Sequence, residues 1–177
     1  TEDGWVFEIR NPKNRLPWRK ATGLTTTLLG KGRFDEDFTL CNFLIQFVEV
    51  EVDTATGVVK LVNVLNSAGC GTVISPAYLE GQLHGALGAA GLDTAIFEGG
   101  VLDPTTGRMV NCNMIDYKWR PFNDLPHFDN MFMETPIPSH RFHAVGVGEI
   151  STSPGPGAVL MAVYNATGTR IMDYPFT

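Results

Sequence analysis

The stretch Phe47-Val48-Glu49-Val50-Glu51-Val52-Asp53 alternates apolar and acidic side chains, a period of two that suits a strand buried on one face and is incompatible with a helix. Asp53-Thr54-Ala55-Thr56-Gly57 then supplies turn residues, and Val58-Val59-Lys60-Leu61-Val62-Asn63-Val64 returns as a second arm. The spacing predicts a β-hairpin whose first arm begins at Phe43. One face of that hairpin is apolar along its length, so the remaining chain must supply something to cover it.

Helical signals follow. Ser75 and Pro76 are start residues, and Leu79, Leu83, Ala86, Leu87 and Ala90 form an apolar stripe beyond them. Gly81, Gly85 and Gly88 interrupt that helix, each costing up to about 1 kcal/mol against Ala. Close packing against a sheet or a ligand is the expected compensation, and Gln82 stands off the stripe with its amide free for a polar partner. A second hairpin is expected with residues 94–102 as one arm, Asp103-Pro104-Thr105-Thr106-Gly107 as the turn and the chain from Arg108 as the return. Met131-Phe132-Met133-Glu134-Thr135 reads as a strand, and residues 170–174 alternate as an edge strand does. Strands and helices interleave without βαβ regularity, so the fold class is α+β, with hairpins, a mixed sheet and packed helices.

Two regions divide the chain. Residues 1–42 are rich in Gly, Pro, Asn, Thr and charge, with Trp5, Phe7, Trp18 and Phe34 as scattered anchors, and read as an extended docking segment. Residues 43–177 form the folded domain. Hydrophobic residues make up 44% and charged residues 18% of the chain, which excludes disorder. A net charge of −6 with no long basic run argues against nucleic acid as a partner. No apolar run is long enough to span a bilayer and no signal peptide opens the chain, which points away from membranes and toward the cytoplasm. Cys41, Cys70 and Cys112 lack any Cys-x-x-Cys spacing, so they encode neither an iron-sulfur nor a zinc site and are expected as buried apolar groups. His140 and His143 lack a third ligand nearby, and no metal ligand is assigned.

The organising loop is His143-Ala144-Val145-Gly146-Val147-Gly148-Glu149-Ile150. Gly146 and Gly148 can adopt backbone angles closed to other residues and let a bulky ligand approach the main chain. Ser153, Pro154 and Pro156 start a helix carrying Ala158, Val159, Ala162, Val163 and Ala166, which Gly168 stops. Glu149 therefore sits at the end of a glycine turn just ahead of a helix. By itself that placement also suits an acid near a positive helix end.

Six pieces in order add a resemblance: Val48-Glu49-Val50-Glu51-Val52-Asp53 with Thr56-Gly57; Val73-Ile74-Ser75-Pro76; Glu80-Gly81-Gln82-Leu83-His84-Gly85; Asp116-Tyr117-Lys118 with Asp124-Leu125-Pro126; Gly146-Val147-Gly148-Glu149; and Ala162-Val163-Tyr164-Asn165-Ala166. From about residue 45 to its end the chain resembles the C-terminal part of the molybdenum-binding large subunit of the xanthine oxidase family of molybdenum hydroxylases. The resemblance implies a molybdopterin-binding domain, with Glu149 as the general base and Gln82 as a contact to the pterin. Gly81, Gly146, Val147 and Gly148 are implied as further cofactor-binding positions.

It further implies hydroxylation of an N-heteroaromatic, aldehyde or related small molecule with water as the oxygen source. The cofactor would be molybdopterin, as a dinucleotide, bound jointly with another chain. Partners would be the remaining molybdenum-subunit chain, an iron-sulfur subunit with 2Fe-2S clusters and a flavin subunit with FAD. The chain departs from the family pattern at Gly69, where Asp is frequent, at Gly88-Ala89-Ala90-Gly91, and at Val145, where Lys is common. A non-catalytic assembly module of the same fold, or a hydratase or reductase variant using the same cofactor, are the alternatives.

Overall fold

The computed structural model describes residues 3–21, 23, 31–32, 41–86 and 91–176, and the chain divides into two compact units, Thr1–Asp37 and Phe38–Thr177. In the first, β1 (Trp5–Glu8) pairs antiparallel with β2 (Asn11–Pro17), and α1 (Trp18–Ala21) follows. The reading of this region as an extended segment missed the hairpin, because every β2 residue is exposed and no period of two marks it. The Arg15 guanidinium lies 4.9 Å from the Trp5 ring centre, a cation–π contact that fixes the two strands' faces. Phe34 lies outside the described residues.

In the second unit, β3 (Phe43–Val52) and β4 (Val59–Gly69) form the expected antiparallel hairpin, with a bulge at Glu49/Val50. Its turn is closed by Asp53, whose carboxylate accepts the amides of Ala55 at 2.9 Å and Thr56 at 3.4 Å, while Gly57 at φ +81 occupies the left-handed region. Strand β5 (His127–Met133) joins the other side of β4, parallel to it, giving a mixed sheet of order β3-β4-β5. The α+β expectation holds, with a connection of more than fifty residues between the parallel neighbours.

Helix α2 (Pro76–Ala86) opens at the anticipated Pro76, its first bond running from the Leu79 amide to the Ser75 carbonyl. Leu87 and Ala90 of its expected stripe lie outside the described residues. Short α3 (Asp93–Ile96) occupies residues expected to begin the second hairpin. That hairpin shrinks to its turn: Asp103 again accepts the amides two and three residues on, Leu102 and Met109 pair in isolation, and the return arm is irregular. Helix α4 (Gly155–Thr167) ends at Gly168, φ +73, as its stop signal required. Residues 170–174 form no strand; the tail is held instead by the Phe176 amide on the Ala95 carbonyl. Ile171 of this alternating stretch packs against the core without joining the sheet.

The core is the face of β4 given by Leu61, Val64 and Ala68, covered by Leu79 and Leu83 of α2, Leu92, Ala95 and Ile96 around α3, and Val159 and Val163 of α4. Leu83, fully buried, contributes about 1.5–3 kcal/mol by leaving water. Gly155 permits the closest approach: a Cβ there would lie 2.5 Å from the Gly91 carbonyl carbon, so α4 begins directly against that backbone. A buried pair beside α3, Asp93 with Arg120 at 2.8 Å, also takes the Arg120 amide at 2.8 Å and so ties residues near the Asp124-Leu125-Pro126 stretch to the helix.

A polar row crosses this apolar layer. Gln46 Nε2 donates to Asn66 Oδ1 at 3.1 Å, Asn66 Nδ2 donates to Asn130 Oδ1 at 3.0 Å, and Asn130 Nδ2 meets His84 Nε2 at 2.6 Å. Gln46, Asn66 and Asn130 are register partners across β3, β4 and β5, and the His84 ring stacks on Phe128 at 4.8 Å. Asn66 is fully buried, so a slip of either neighbour would strand its amide.

Candidate functional site

The last residues of β4 lead into a short antiparallel bridge that places the organising loop. Gly71 pairs with Ala144, the Thr72 amide donates to the His143 carbonyl at 2.8 Å, and the Val145 amide donates to the Cys70 carbonyl at 2.9 Å. Gly71 is obligatory: it sits at φ +72, and a Cβ would lie 2.2 Å from the His143 carbonyl oxygen. His143 itself takes φ +55, a conformation supported by its Nδ1 donating to the Ile137 carbonyl at 3.0 Å. The left-handed residue of this loop is thus His143, whereas Gly146 and Gly148 do not adopt positive φ.

Beyond the bridge, the loop and helix α2 enclose a cleft of about 300 Å³ lined by Val73, Tyr78, Gln82 and the backbone of Gly146, Val147 and Gly148. Two side-chain amides hold the loop by its carbonyls: Gln82 Nε2 donates to the Gly148 carbonyl and Asn42 Nδ2 to the Gly146 carbonyl. Buried Ser151 donates to the main-chain oxygen of Gln82 at 3.5 Å, a second tie between α2 and this loop. On the opposite wall, Glu134 accepts the Val73 amide at 3.1 Å.

Four of the residues singled out from the sequence, Gln82, Gly146, Val147 and Gly148, therefore meet at one cleft. Gly81 lies on the exposed side of α2, outside the cleft lining. Glu149 is the next residue after the lining; it is exposed, its carboxylate has no hydrogen-bond or ion-pair partner among the described residues, and its carbonyl accepts the Thr152 hydroxyl at 2.8 Å. Added Cβ atoms at Gly81, Gly85, Gly146 and Gly148 would meet nothing within 4 Å. The glycines of α2 are thus not compensated by packing on the sheet, and the loop glycines present bare main chain to open space.

Tyr78, Val73 and Asn42 were missed by the sequence reading. Tyr78 stands one turn before Gln82 and so shares its face, a signal available at i, i+4; Asn42 offered none. Cys70, buried in the cleft wall, has its thiol pushed up first by burial and then by the Glu134 charge, so it stays protonated and inert. Cys41 and Cys112 are exposed, against the expectation that all three would be buried. Among the described residues no three His, Cys, Asp or Glu side chains gather to hold a metal ion, and no helix is long and apolar enough to cross a membrane.

Comparison with known proteins places this geometry. A family model described as the molybdopterin cofactor-binding domain matches residues 4–126, which include Gln82 but not Glu149. The chain is 33% identical over 147 residues to the aldehyde oxidoreductase molybdenum-binding subunit of Escherichia coli strain K12, covering 82% of this chain and 20% of that protein. It is 34% identical over 131 residues to the xanthine dehydrogenase molybdenum-binding subunit of Escherichia coli O157:H7, covering 74% of this chain and 17% of that protein. Among solved structures, quinoline 2-oxidoreductase from Pseudomonas putida 86 superposes with a TM-score of 0.65 at 29% identity, over 72% of this chain and 16% of that one. The chain spans about a fifth of the length of the curated relatives it matches.

Proposed function

Since the chain belongs to the molybdopterin cofactor-binding domain family, we propose that it forms one wall of the cofactor and substrate site of a molybdenum hydroxylase, with Glu149 as its general base. The observation that carries the reading is the convergence of Gln82 and the bare main chain of Gly146 to Gly148 on one cleft, directly before an unpaired carboxylate. Such a cleft suits a large, flat, polar group: main chain can come within contact of it, because no side chain projects from the loop glycines. The Gln82 oxygen is free to accept from that group while its nitrogen holds the Gly148 carbonyl, and Val73 and Val147 add apolar lining beside it.

When bound, the molybdenum cofactor supplies the redox chemistry, and water supplies the oxygen. Glu149 takes the proton from the attacking oxygen as it adds to an electron-poor carbon of an aldehyde or N-heteroaromatic substrate. A base must be ionised and mobile enough to reach its proton, and among the described residues the Glu149 carboxylate has no partner that would hold it away. The remaining molybdenum-subunit polypeptide completes the site, and 2Fe-2S and FAD subunits accept the electrons, in a cytoplasmic complex.

The test is Glu149→Gln in the assembled complex. Gln keeps size and shape but not basicity, so folding and molybdenum content stay near wild type while substrate-driven reduction per bound metal falls by about 10²- to 10⁴-fold. A near-wild-type reduction rate would remove Glu149 from the chemistry.

A further inference from the structure

The sheet has a second apolar face. Leu44, Val48 and Val50 of β3 and Phe128 and Phe132 of β5 pack against the core, and period-two alternation turns Phe43, Ile45, Phe47 and Met131 the other way, where they are 51%, 48%, 60% and 54% exposed. A sheet with one solvated face reads apolar-in and polar-out; one apolar on both faces is covered on both. Register shows where the cover ends. The cross-strand rows Phe43–Gly69–Met133 and Ile45–Ser67–Met131 carry no charge, Phe47–Leu65–Asp129 is mixed, and Glu49–Asn63–His127 is polar throughout. The strand sequence changes at the same place, from apolar residues at every position but Gln46 over Phe43 to Val48 to strict Val/Glu alternation.

We infer that the outer face at Phe43, Ile45, Phe47, Met131 and Met133 is the docking surface for an apolar face of the remaining molybdenum-subunit polypeptide. The inference rests on the proposed function and deepens it by naming the contact. Three observations select this occupant. About four fifths of the length of the curated relatives lies outside this chain. The apolar rows end at Gly69, one residue before Cys70, Thr72 and Val73 line the cleft, so a segment covering them reaches the cleft mouth and supplies a wall that this chain lacks. Glu49, Glu51 and Asp129, offset in part by Lys60 opposite Glu51, bound the face at its far end and the chain carries a net charge of −6, so a second copy meets net like charge there, whereas a segment with basic flanks is attracted.

The experiment co-expresses this chain with the remaining molybdenum-subunit polypeptide and compares Ile45→Glu/Met131→Glu with Glu51→Lys. Both altered apolar positions are about half exposed, so thermal melting of the chain alone should not change and serves as the folding control. Burying two unpaired carboxylates should weaken association about 100-fold or more, while Glu51→Lys, which reverses one exposed charge at the rim, should weaken it by less than about 10-fold. Hydrogen exchange at residues 43–47 and 131–133 should slow in the complex relative to the isolated chain. Undiminished association of the double variant overturns the proposal, as does exchange protection already present in a dimer of the isolated chain. Metal analysis separates the two readings. A complex that assembles through this face without molybdenum overturns the proposed function and leaves the interface standing; a molybdenum-loaded complex indifferent to the double variant overturns the interface alone.

Discussion

Replacing Gln82 by Ala separates two roles that one side chain combines. Its nitrogen donates to the Gly148 carbonyl, which is exposed, so water can replace the lost bond and the stability loss lies near the lower end of the usual range, about 0.5–1 kcal/mol. In a chain of this size that shifts Tm by about 1–4 °C. The larger consequence is positional. Gly148 precedes Glu149, so the Gln82 bond holds the peptide on its N-terminal side, where the Asn42 bond lies two residues earlier and the Thr152 hydroxyl holds the Glu149 carbonyl on the other side. A base displaced by about 1 Å loses on the order of 100-fold in rate. The assay is molybdenum content and anaerobic reduction of the same purified complex, so that rate is expressed per bound metal. The expected result is a rate per metal lowered by about 10- to 100-fold, with a smaller fall in occupancy. An unchanged rate per metal, whatever the occupancy, refutes the positional argument and leaves Gln82 as a cofactor contact at most.

Gly71→Ala should destabilise by at least about 2 kcal/mol and release the 143–149 loop, because the new methyl meets the His143 carbonyl at a left-handed position; thermal melting and molybdenum content report both. Asn66→Leu should cost about 2–6 kcal/mol in denaturant titrations by stranding Gln46 and Asn130, whereas Gln46→Leu/Asn66→Leu/Asn130→Leu should recover most of it. Asp53 has its acidity increased chiefly by the Ala55 amide, so its folded value lies below the ordinary 3.8; its contribution to the turn is complete above that pH and is lost as pH falls through the folded value. NMR titration of the Asp53 carboxyl should find the lowered midpoint, and a midpoint at or above 3.8 would contradict the turn geometry.

What was legible in the sequence depended on how local its cause was. The β3–β4 hairpin and both Asp-x-x-Thr-Gly turns are written within a few residues, because Asp53 and Asp103 bond amides two and three positions on. Helix α4 was bounded correctly, since Pro154 and Gly168 act on their own backbone angles. The parallel pairing of β5 with β4 was not readable, because the partners Asn66 and Asn130 are far apart in the chain. Residues 94–96, with their β-branched character, read as strand, yet the Phe97 and Glu98 amides both fold back to the Asp93 carbonyl and close a helical turn. At the site, the six-piece resemblance brought Gln82 and the glycine loop together, and of the two reasons read for the glycines only the unusual angles fail: Gly146 and Gly148 take no positive φ, while the space beside their main chain is open. The departure at Gly69 has a local cause, since a Cβ there would lie 2.3 Å from the Phe43 ring that rests over it.

The amide row beneath the sheet has a direction. Each member turns its NH₂ toward His84 and its oxygen toward Gln46, which leaves Gln46 Oε1 buried without a hydrogen-bond partner at the far end. With the amides in that order, Asn130 presents its NH₂ to His84 Nε2, which accepts in the tautomer that carries its proton on Nδ1. A proton placed on Nε2 would need an acceptor: Asn130 would have to turn its oxygen toward the ring, Asn66 would follow, and Gln46 would turn last, its orphaned oxygen now satisfied by Asn66. The four groups therefore reverse together or not at all. An event at one ring nitrogen on α2 is thereby relayed across three strands to Gln46 as a change in hydrogen-bond polarity, with no backbone movement and no net charge displaced along the row.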